Sequence, residues 1–241
     1  MDNKIQLSIV LPAHNEADNL PSLIKEVTEY MQGLGWDYEI IIVNDGSTDK
    51  TKEVSERLQG DDNRIKLVNH PKNRGYGGAL RSGFATATKE WVFFMDSDRQ
   101  FNIKEITKLA LFMNDADMII GYRQNRQDHL IRKINAGIFN LAVNILFGLW
   151  IRDIDCAFKL IKKEVVDKAD LESNGALINT ELLVRAKKLG YRIKQLPVSH
   201  YPRLSGTQSG ASIKVILRAI KEILLFRLTD RTVSSSERDN K

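Results

Sequence analysis

Short apolar runs alternate with helical stretches through the first 120 residues, and that alternation leaves few folds open to the chain. The runs IQLSIVLP (5–12), YEIIIVND (38–45), RIKLVNH (64–70), EWVFFMD (90–96) and DMIIG (117–121) are rich in β-branched and aromatic residues, and each ends in turn chemistry. Between them, 16–31 carries Leu20, Leu23, Ile24, Val27 and Met31 at helical spacing. The stretch 48–58 opens with a Ser/Thr/Asp cluster suited to an N-cap, and 77–88 is rich in alanine. Repeated β-α-β units imply an α/β fold: a mainly parallel, Rossmann-like sheet flanked by helices on both faces. A chain of 241 residues can bury roughly 70–75% of its unfolded surface in such a core. Ligands of these sheets sit outside the carboxyl ends of the strands, where loops and helix N-termini converge.

Those ends are acidic. Asp96-Ser97-Asp98 follows EWVFFM directly, with Gln100 beside it. Two carboxylates one residue apart supply oxygen ligands to a hard cation such as Mg²⁺ or Mn²⁺ and leave positions open for phosphate oxygens. An isolated D-x-D is also compatible with a solvated turn or a helix cap. The second strand ends in Asn44-Asp45-Gly46-Ser47-Thr48-Asp49, where Asp45 can accept from a nucleobase or ribose and Asp49 can cap the next helix. The first ends in Pro12-Ala13-His14-Asn15-Glu16. A crevice of acids alone repels a phosphorylated ligand, so a metal and basic residues must offset the charge. The cluster Gly75-Tyr76-Gly77-Gly78 is no dinucleotide fingerprint, because the third glycine would fall at Leu80, and it is expected to let a helix start close to the sheet.

The second half differs. Residues 134–151 carry no charge, a length that just permits a membrane span. Asn135, Asn140 and Asn144 favour instead a helix lying in the interface or packed on the core. In 212–228, Ile213, Ile216, Leu217, Ile220, Ile223, Leu224 and Leu228 form one stripe opposite Lys214, Arg218 and Lys221. That pattern suits an anionic bilayer surface or a helix docked on the core. The chain has a net charge of +5, but residues 1–60 hold five Lys/Arg against eleven Asp/Glu and residues 201–231 six against two. An acidic front and a basic back suggest two jobs, and the expected partners include a membrane surface and no nucleic acid. The single cysteine, Cys156, excludes an internal disulfide framework and fits a reducing compartment. The start of the chain does not read as a signal peptide, so a peripheral place on the cytoplasmic face of a membrane is expected. The expected organisation is one domain over 1–210, a surface helix over 211–229 and a disordered tail over 230–241.

The motifs VLPAHNE, IIIVNDGSTDKT, NRGYGGALRSG and FFMDSDRQ, in this order and spacing, resemble those of the inverting family 2 glycosyltransferases of GT-A fold. The resemblance continues through Gly121-Tyr122-Arg123, DIDCAFKLIKKEV, Glu181 in NTELLVRAKKLGYRIKQLPV, and HYPRLSGTQS, and covers about 5–210. Within the family the chain looks most like the dolichyl- or polyprenyl-phosphate mannose synthase group, which moves a hexose from GDP-mannose or UDP-glucose to a lipid phosphate. The resemblance implies that Pro12, His14 and Glu16 surround the donor's base and ribose, with Asn44, Asp45 and Ser97 also on the donor. It makes Asp96, Asp98 and Gln100 the metal set and places Arg123 and Arg203 near the diphosphate and acceptor. At 153–159 the chain departs from the group's pattern, with Asp153, Asp155, Cys156, Ala157, Phe158 and Lys159. Lys159 is expected on a phosphate, and Asp153, Asp155 and Glu181 are the candidate bases should the acceptor be a hydroxyl. A cell-envelope saccharide acceptor and a non-catalytic nucleotide-sugar-binding membrane scaffold are the competing functions.

Overall fold

The computed structural model describes residues 4–124, 130–202 and 221–228, with 130–135 as backbone only. These fall into two compact units, the first from 4–124 and 152–202, the second from 130–151 and 221–228. The expected boundary near 210 and the helix over 212–220 lie outside the described residues, as does the tail.

The first unit is a seven-stranded sheet in the order β3-β2-β1-β4-β6-β5-β7. Its strands are β1 (Gln6–Ala13), β2 (Asp37–Asp45), β3 (Ile65–His70), β4 (Trp91–Met95), β5 (Met118–Gln124), β6 (Phe158–Lys162) and β7 (Ile193–Ser199). All neighbours are parallel except β6, which runs against both β4 and β5. The five expected strands are β1 to β5. Strands β1, β2 and β4 are near-continuous apolar runs because helices cover both faces, and Ile9, Val10, Leu11, Ile40, Ile41, Ile42, Phe93 and Phe94 are fully buried. The flanking helices are α1 (Leu20–Leu34), α2 (Thr51–Asp61), α3 (Tyr76–Thr86), α4 (Ile106–Ala110), α6 (Lys163–Lys168) and α7 (Ile178–Lys188). Helix α1 starts at Leu20 and not at 16, with Pro21 in its first turn where the missing N–H costs nothing. The close approach of α3 to the sheet falls at Gly83, where a Cβ would meet Val10 and Val43, and not at the cluster 75–78.

At the amino ends of β1 and β2 a buried carboxylate is enclosed by donors. The buried Glu39 accepts from Ser8 Oγ (2.6 Å) and from Thr88 N (2.8 Å) and Oγ1 (3.0 Å), and pairs with Lys66 Nζ at 2.6 Å. Burial pushes its pKa up, but these bonds together outweigh burial and hold it below the ordinary value. Glu105 is lowered in the same way by Lys108 and Ser199, and Asp117 by Arg192 and Lys162, each against its own burial. A carboxylate with a depressed folded pKa contributes stability above its unfolded pKa and loses it as pH falls through the folded value. Thermal melts should therefore hold steady from neutrality down to about pH 5 and fall progressively below about pH 4. Glu39→Gln should remove part of that acid slope, and an unchanged slope in circular-dichroism melts would count against the assignment.

The second unit contains α5 (Leu130–Phe147) and the helical stretch 221–228. Phe147 and Phe226 pack with ring centroids 5.7 Å apart, and an Arg227 guanidinium N–H donates to the Leu146 carbonyl. Asn144 closes the turn after α5, donating to Ile151 O at 2.8 Å and accepting from Ile151 N at 2.9 Å. Ile138, Leu141 and Ile145 on α5, and Leu224, Leu225 and Leu228 on the last stretch, are exposed. Among the described residues no helix is long and apolar enough to cross a membrane.

Candidate active site

Strands β2 and β3 lie on one side of β1 and β4 on the other, so the chain reverses its direction of travel across the sheet between β1 and β4. Loops diverge there and open a crevice at the carboxyl ends. Register brings the ends level: Ala13 pairs with Asn44, and Val10 with Phe94.

From β1, Pro12 is half-buried and His14 is exposed, its Nδ1 2.9 Å from Asp45 O and 3.2 Å from Asn73 Nδ2. Asn15, in the left-handed region at φ 58°, receives Thr48 N at 2.8 Å and so ties the first loop to the second. Glu16 is buried and receives Asn19 Nδ2, while its own N–H donates to Thr51 Oγ1 at 2.8 Å. From β2, Asn44 turns inward, donating to Asn69 Oδ1 at 2.9 Å. Asp45 Oδ1 takes the Arg74 N–H (2.8 Å) and lies 2.7 Å from His70 Nδ1, and Oδ2 takes the Gly75 N–H at 2.9 Å. Asp45 thus spends most of its acceptor capacity anchoring the 70–75 loop, where nucleobase contact was expected, and Asn44 spends its amide on Asn69. His70, Asn15 and Asn73 organise these loops, and no local pattern marks them in the sequence.

The turn after β4 carries the acidic pair. Ser97 is buried and donates to Pro12 O at 2.8 Å, so its hydroxyl closes the β1–β4 seam. Arg99 sits in the left-handed region at φ 61°, strained backbone of a kind that clusters at functional sites. Asp98, nearly buried, accepts from Gln100 N at 3.1 Å, and Gln100 Nε2 donates to Tyr201 O at 3.0 Å, a bond that leaves the Gln100 side-chain oxygen uncommitted. Burial, and then the charge on Asp98, push the Asp96 carboxyl up to about 7. The Tyr76 hydroxyl, buried beside Asp96, closes no hydrogen bond of normal geometry and is itself held well above the usual tyrosine range by burial and then by the Asp96 charge. Two acids that oppose one another's ionisation are relieved by a divalent cation, so the donor set fits one. Among the described residues no group of three His, Cys, Asp or Glu forms a closed cage. A cation held by Asp96, Asp98 and Gln100 would complete its shell with water and donor oxygens, as Mg²⁺ commonly does.

Beyond the turn the structure corrects two expectations. Asp153 cannot serve as a base: Arg123 Nε and one terminal nitrogen grip its two oxygens at 2.7 Å each, and the Arg123 N–H adds a third bond at 3.1 Å. A fork–fork pair of this kind keeps the carboxylate ionised and immobile. Asp155, two residues on and half-buried, raises the pKa of Tyr76 through its charge. Lys159 does not meet a phosphate. It is fully buried, donating to Ile154 O (3.1 Å), Cys156 O and Asn179 Oδ1 (3.0 Å). Cys156 is buried and its thiol is pushed up to about 12, chiefly by desolvation, so it is inert. Glu181 is buried too and braces the 172–173 backbone. His200 packs edge-on against Phe101 at 5.3 Å just before the segment that holds Arg203, which lies outside the described residues.

Residues 8–169 match the profile of glycosyl transferase family 2. The chain belongs to that family. This family 2 glycosyltransferase is 32% identical over 244 residues to dolichyl-phosphate beta-glucosyltransferase ALG5A of Trichomonas vaginalis, covering 93% of the chain and 75% of the relative. It is 30% identical over 209 residues to glycosyltransferase AglD of Haloferax volcanii, covering 83% of the chain but 34% of AglD, so it spans about a third of that longer protein. Among solved structures it resembles glucosyl-3-phosphoglycerate synthase of Mycobacterium tuberculosis in complex with Mn²⁺, UDP and glucosyl-3-phosphoglycerate, with a TM-score of 0.71 at 21% identity over 93% of this chain and 80% of that one. It also resembles mannosyl-3-phosphoglycerate synthase of Rubrobacter xylanophilus, with a TM-score of 0.72 at 15% identity over 94% and 75%. At such identities the likeness is one of fold, and the sheet of the first unit is that of the GT-A glycosyltransferases.

Proposed function

We propose that this family 2 glycosyltransferase moves a hexose from a nucleoside-diphosphate sugar to a polyprenyl or dolichyl phosphate, with inversion at the anomeric carbon. The observation that carries the reading is the Asp96–Gln100 turn, a crowded carboxylate pair at the switch point of the sheet. The 32% likeness to a dolichyl-phosphate beta-glucosyltransferase supports glucose, carried by UDP, ahead of mannose carried by GDP.

Asp96, Asp98 and the Gln100 side-chain oxygen would hold Mg²⁺ or Mn²⁺, which when bound supplies a Lewis acid that neutralises charge growing on the leaving diphosphate. Pro12, His14 and Glu16 line the donor side, with His14 at the open edge. Arg123 uses Nε and one terminal nitrogen on Asp153, and would offer its other terminal nitrogen to an anionic group of the donor or acceptor. A lipid monophosphate is largely dianionic at pH 7, since its second pKa is near 6, and it attacks without a strong general base. A hydroxyl acceptor needs one, and Asp155 is then the candidate. Single displacement inverts the anomeric centre. The exposed apolar side chains of the second unit suit peripheral attachment to a bilayer that carries the acceptor.

The test is a matrix of radiolabelled UDP-glucose and GDP-mannose against liposomes with and without polyprenyl phosphate, in Mg²⁺, Mn²⁺ or EDTA. Organic-extractable label from UDP-glucose, dependent on both lipid phosphate and cation, is the expected result. Transfer independent of lipid phosphate would favour a saccharide acceptor, and no donor turnover under any condition would favour a non-catalytic binder. Deleting 211–241 should shift the protein from liposome pellet to supernatant.

A further inference from the structure

The glycine-rich start of α3 is not pressed by the sheet but by a second backbone segment, the 171–175 turn. The Asn174 carbonyl accepts from the N–H groups of both Gly77 (2.8 Å) and Gly78 (3.2 Å), two donors of the first helical turn that have no partner within the helix. A Cβ at Gly75 would strike Asn174 O, and one at Gly77 would strike the carbonyl of Ser173 and the backbone of Asn174 and Gly175. Arg81, one turn along α3, clamps the same segment from outside, donating to Glu172 O at 2.9 Å and Asn174 Oδ1 at 3.1 Å.

The turn is shaped from the other side by Glu181. This side chain is 1% exposed, and its two oxygens accept the N–H groups of Glu172 (2.9 Å) and Ser173 (2.8 Å), with Arg185 Nη2 2.9 Å away to balance the charge. An unbroken series of bonds thus runs from Glu181 through 172–174 to the first turn of α3. That turn begins with Tyr76, whose buried hydroxyl lies beside Asp96.

We propose that Glu181 is a positioning residue for the acidic pair: by fixing the 171–175 turn against Gly77 and Gly78 it sets Tyr76 beside Asp96. Glu181 then acts on the reaction without touching a substrate, through a lock that the glycines make possible. With the lock set, the Tyr76 hydroxyl fills the space next to Asp96 and limits the movement of its carboxylate. With the lock loosened, α3 frays at its start and Tyr76 no longer limits that movement.

The proposal rests on the assignment of Asp96 to the site, so its test separates the two. Amide exchange is followed at Gly77 and Gly78 in the intact protein, alongside Mn²⁺-dependent UDP binding by calorimetry and donor turnover. Glu181→Gln is expected to speed exchange at both glycines at least about tenfold, and to lower kcat on the order of tenfold to a hundredfold with donor KM changed less. Tyr76→Phe should lower kcat similarly while leaving exchange at the glycines untouched. The double variant should be no worse than the poorer single one, because both changes break one series of contacts. Unchanged exchange in Glu181→Gln, faster exchange with wild-type turnover, or strictly additive losses would each overturn the proposal. Should Glu181→Gln fail to fold, Arg81→Ala loosens the same turn from the surface, and unchanged glycine exchange in that variant would overturn it equally. A wild type that binds no nucleotide would sink the reading of the site, while the exchange data would still decide the lock.

Discussion

Asp98→Ala should lower sugar transfer by at least about a hundredfold to a thousandfold, the scale of losing one group that stabilises transition-state charge, while the protein keeps its fold. The two halves of that expectation have one cause. Asp98 is nearly buried two residues from Asp96, and the charge of one raises the pKa of the other. In a purely structural site such crowding has no counterweight, which is why the carboxylates at the opposite end of the sheet, Glu39 foremost, are each surrounded by donors. Removing Asp98 relieves repulsion as it removes a ligand, so the thermal midpoint should stay within a few degrees of the wild type. Asp98→Asn separates the terms: it preserves an acceptor for the Gln100 N–H but not the charge, and should lose nearly as much activity as the alanine variant. Calorimetry with Mn²⁺ and UDP supplies a readout apart from turnover, and wild-type activity in Asp98→Ala would remove the cation from the mechanism.

The acidic turn was legible because everything that defines it is local: an apolar strand, two carboxylates at its end, and an amide two positions on. The same holds for β1 to β5, whose apolar runs alternate with helical periodicity. The sequence pattern missed β6 and β7 for identifiable reasons. FKLIK is short and carries a lysine in its middle, and IKQLPVS contains Pro197 and is half exposed, as suits an edge strand. Missing β6 then misassigned Lys159. A charged residue of a family 2 glycosyltransferase reads as a phosphate ligand until its strand is seen to lie between β4 and β5, where both faces are covered. Asp153 and Asp45 show the same limit. Residue type announces a carboxylate, but whether its oxygens reach the crevice depends on donors 30 and 25–30 residues away in the chain, Arg123 for one and His70, Arg74 and Gly75 for the other. Glu181 did leave a trace: it falls on the buried stripe of α7 with Ile178, Leu182 and the stem of Arg185, a position where an acid must have partners.

Lys159→Met tests that reassignment most sharply, because the two roles for Lys159 predict opposite results. Methionine matches the stem in length and polarity of packing, so what is removed is the ammonium group alone. The carbonyls of Ile154 and Cys156 and the Asn179 amide oxygen would each lose this charged donor, and the contact over the Phe94 ring at 5.3 Å would be lost. Each hydrogen bond made by a charged donor is worth about 1.5–3 kcal/mol, so losing several of them costs about 3–5 kcal/mol or more. In a chain of this size that lowers the melting temperature by roughly 6–20 °C. Burial also depresses the lysine's own pKa, against the opposing pull of the acidic groups of the 153–156 stretch. A phosphate ligand would behave otherwise, with an unchanged melt and a donor KM raised severalfold. The expected result is the reverse: a large stability loss by denaturant titration, with donor affinity close to wild type in protein assayed well below its melt. The stretch that Lys159 braces also carries Asp153 and Asp155, so kcat should fall as the 153–157 backbone loosens. That loss should be recovered in part by low temperature, which a missing phosphate contact would not be.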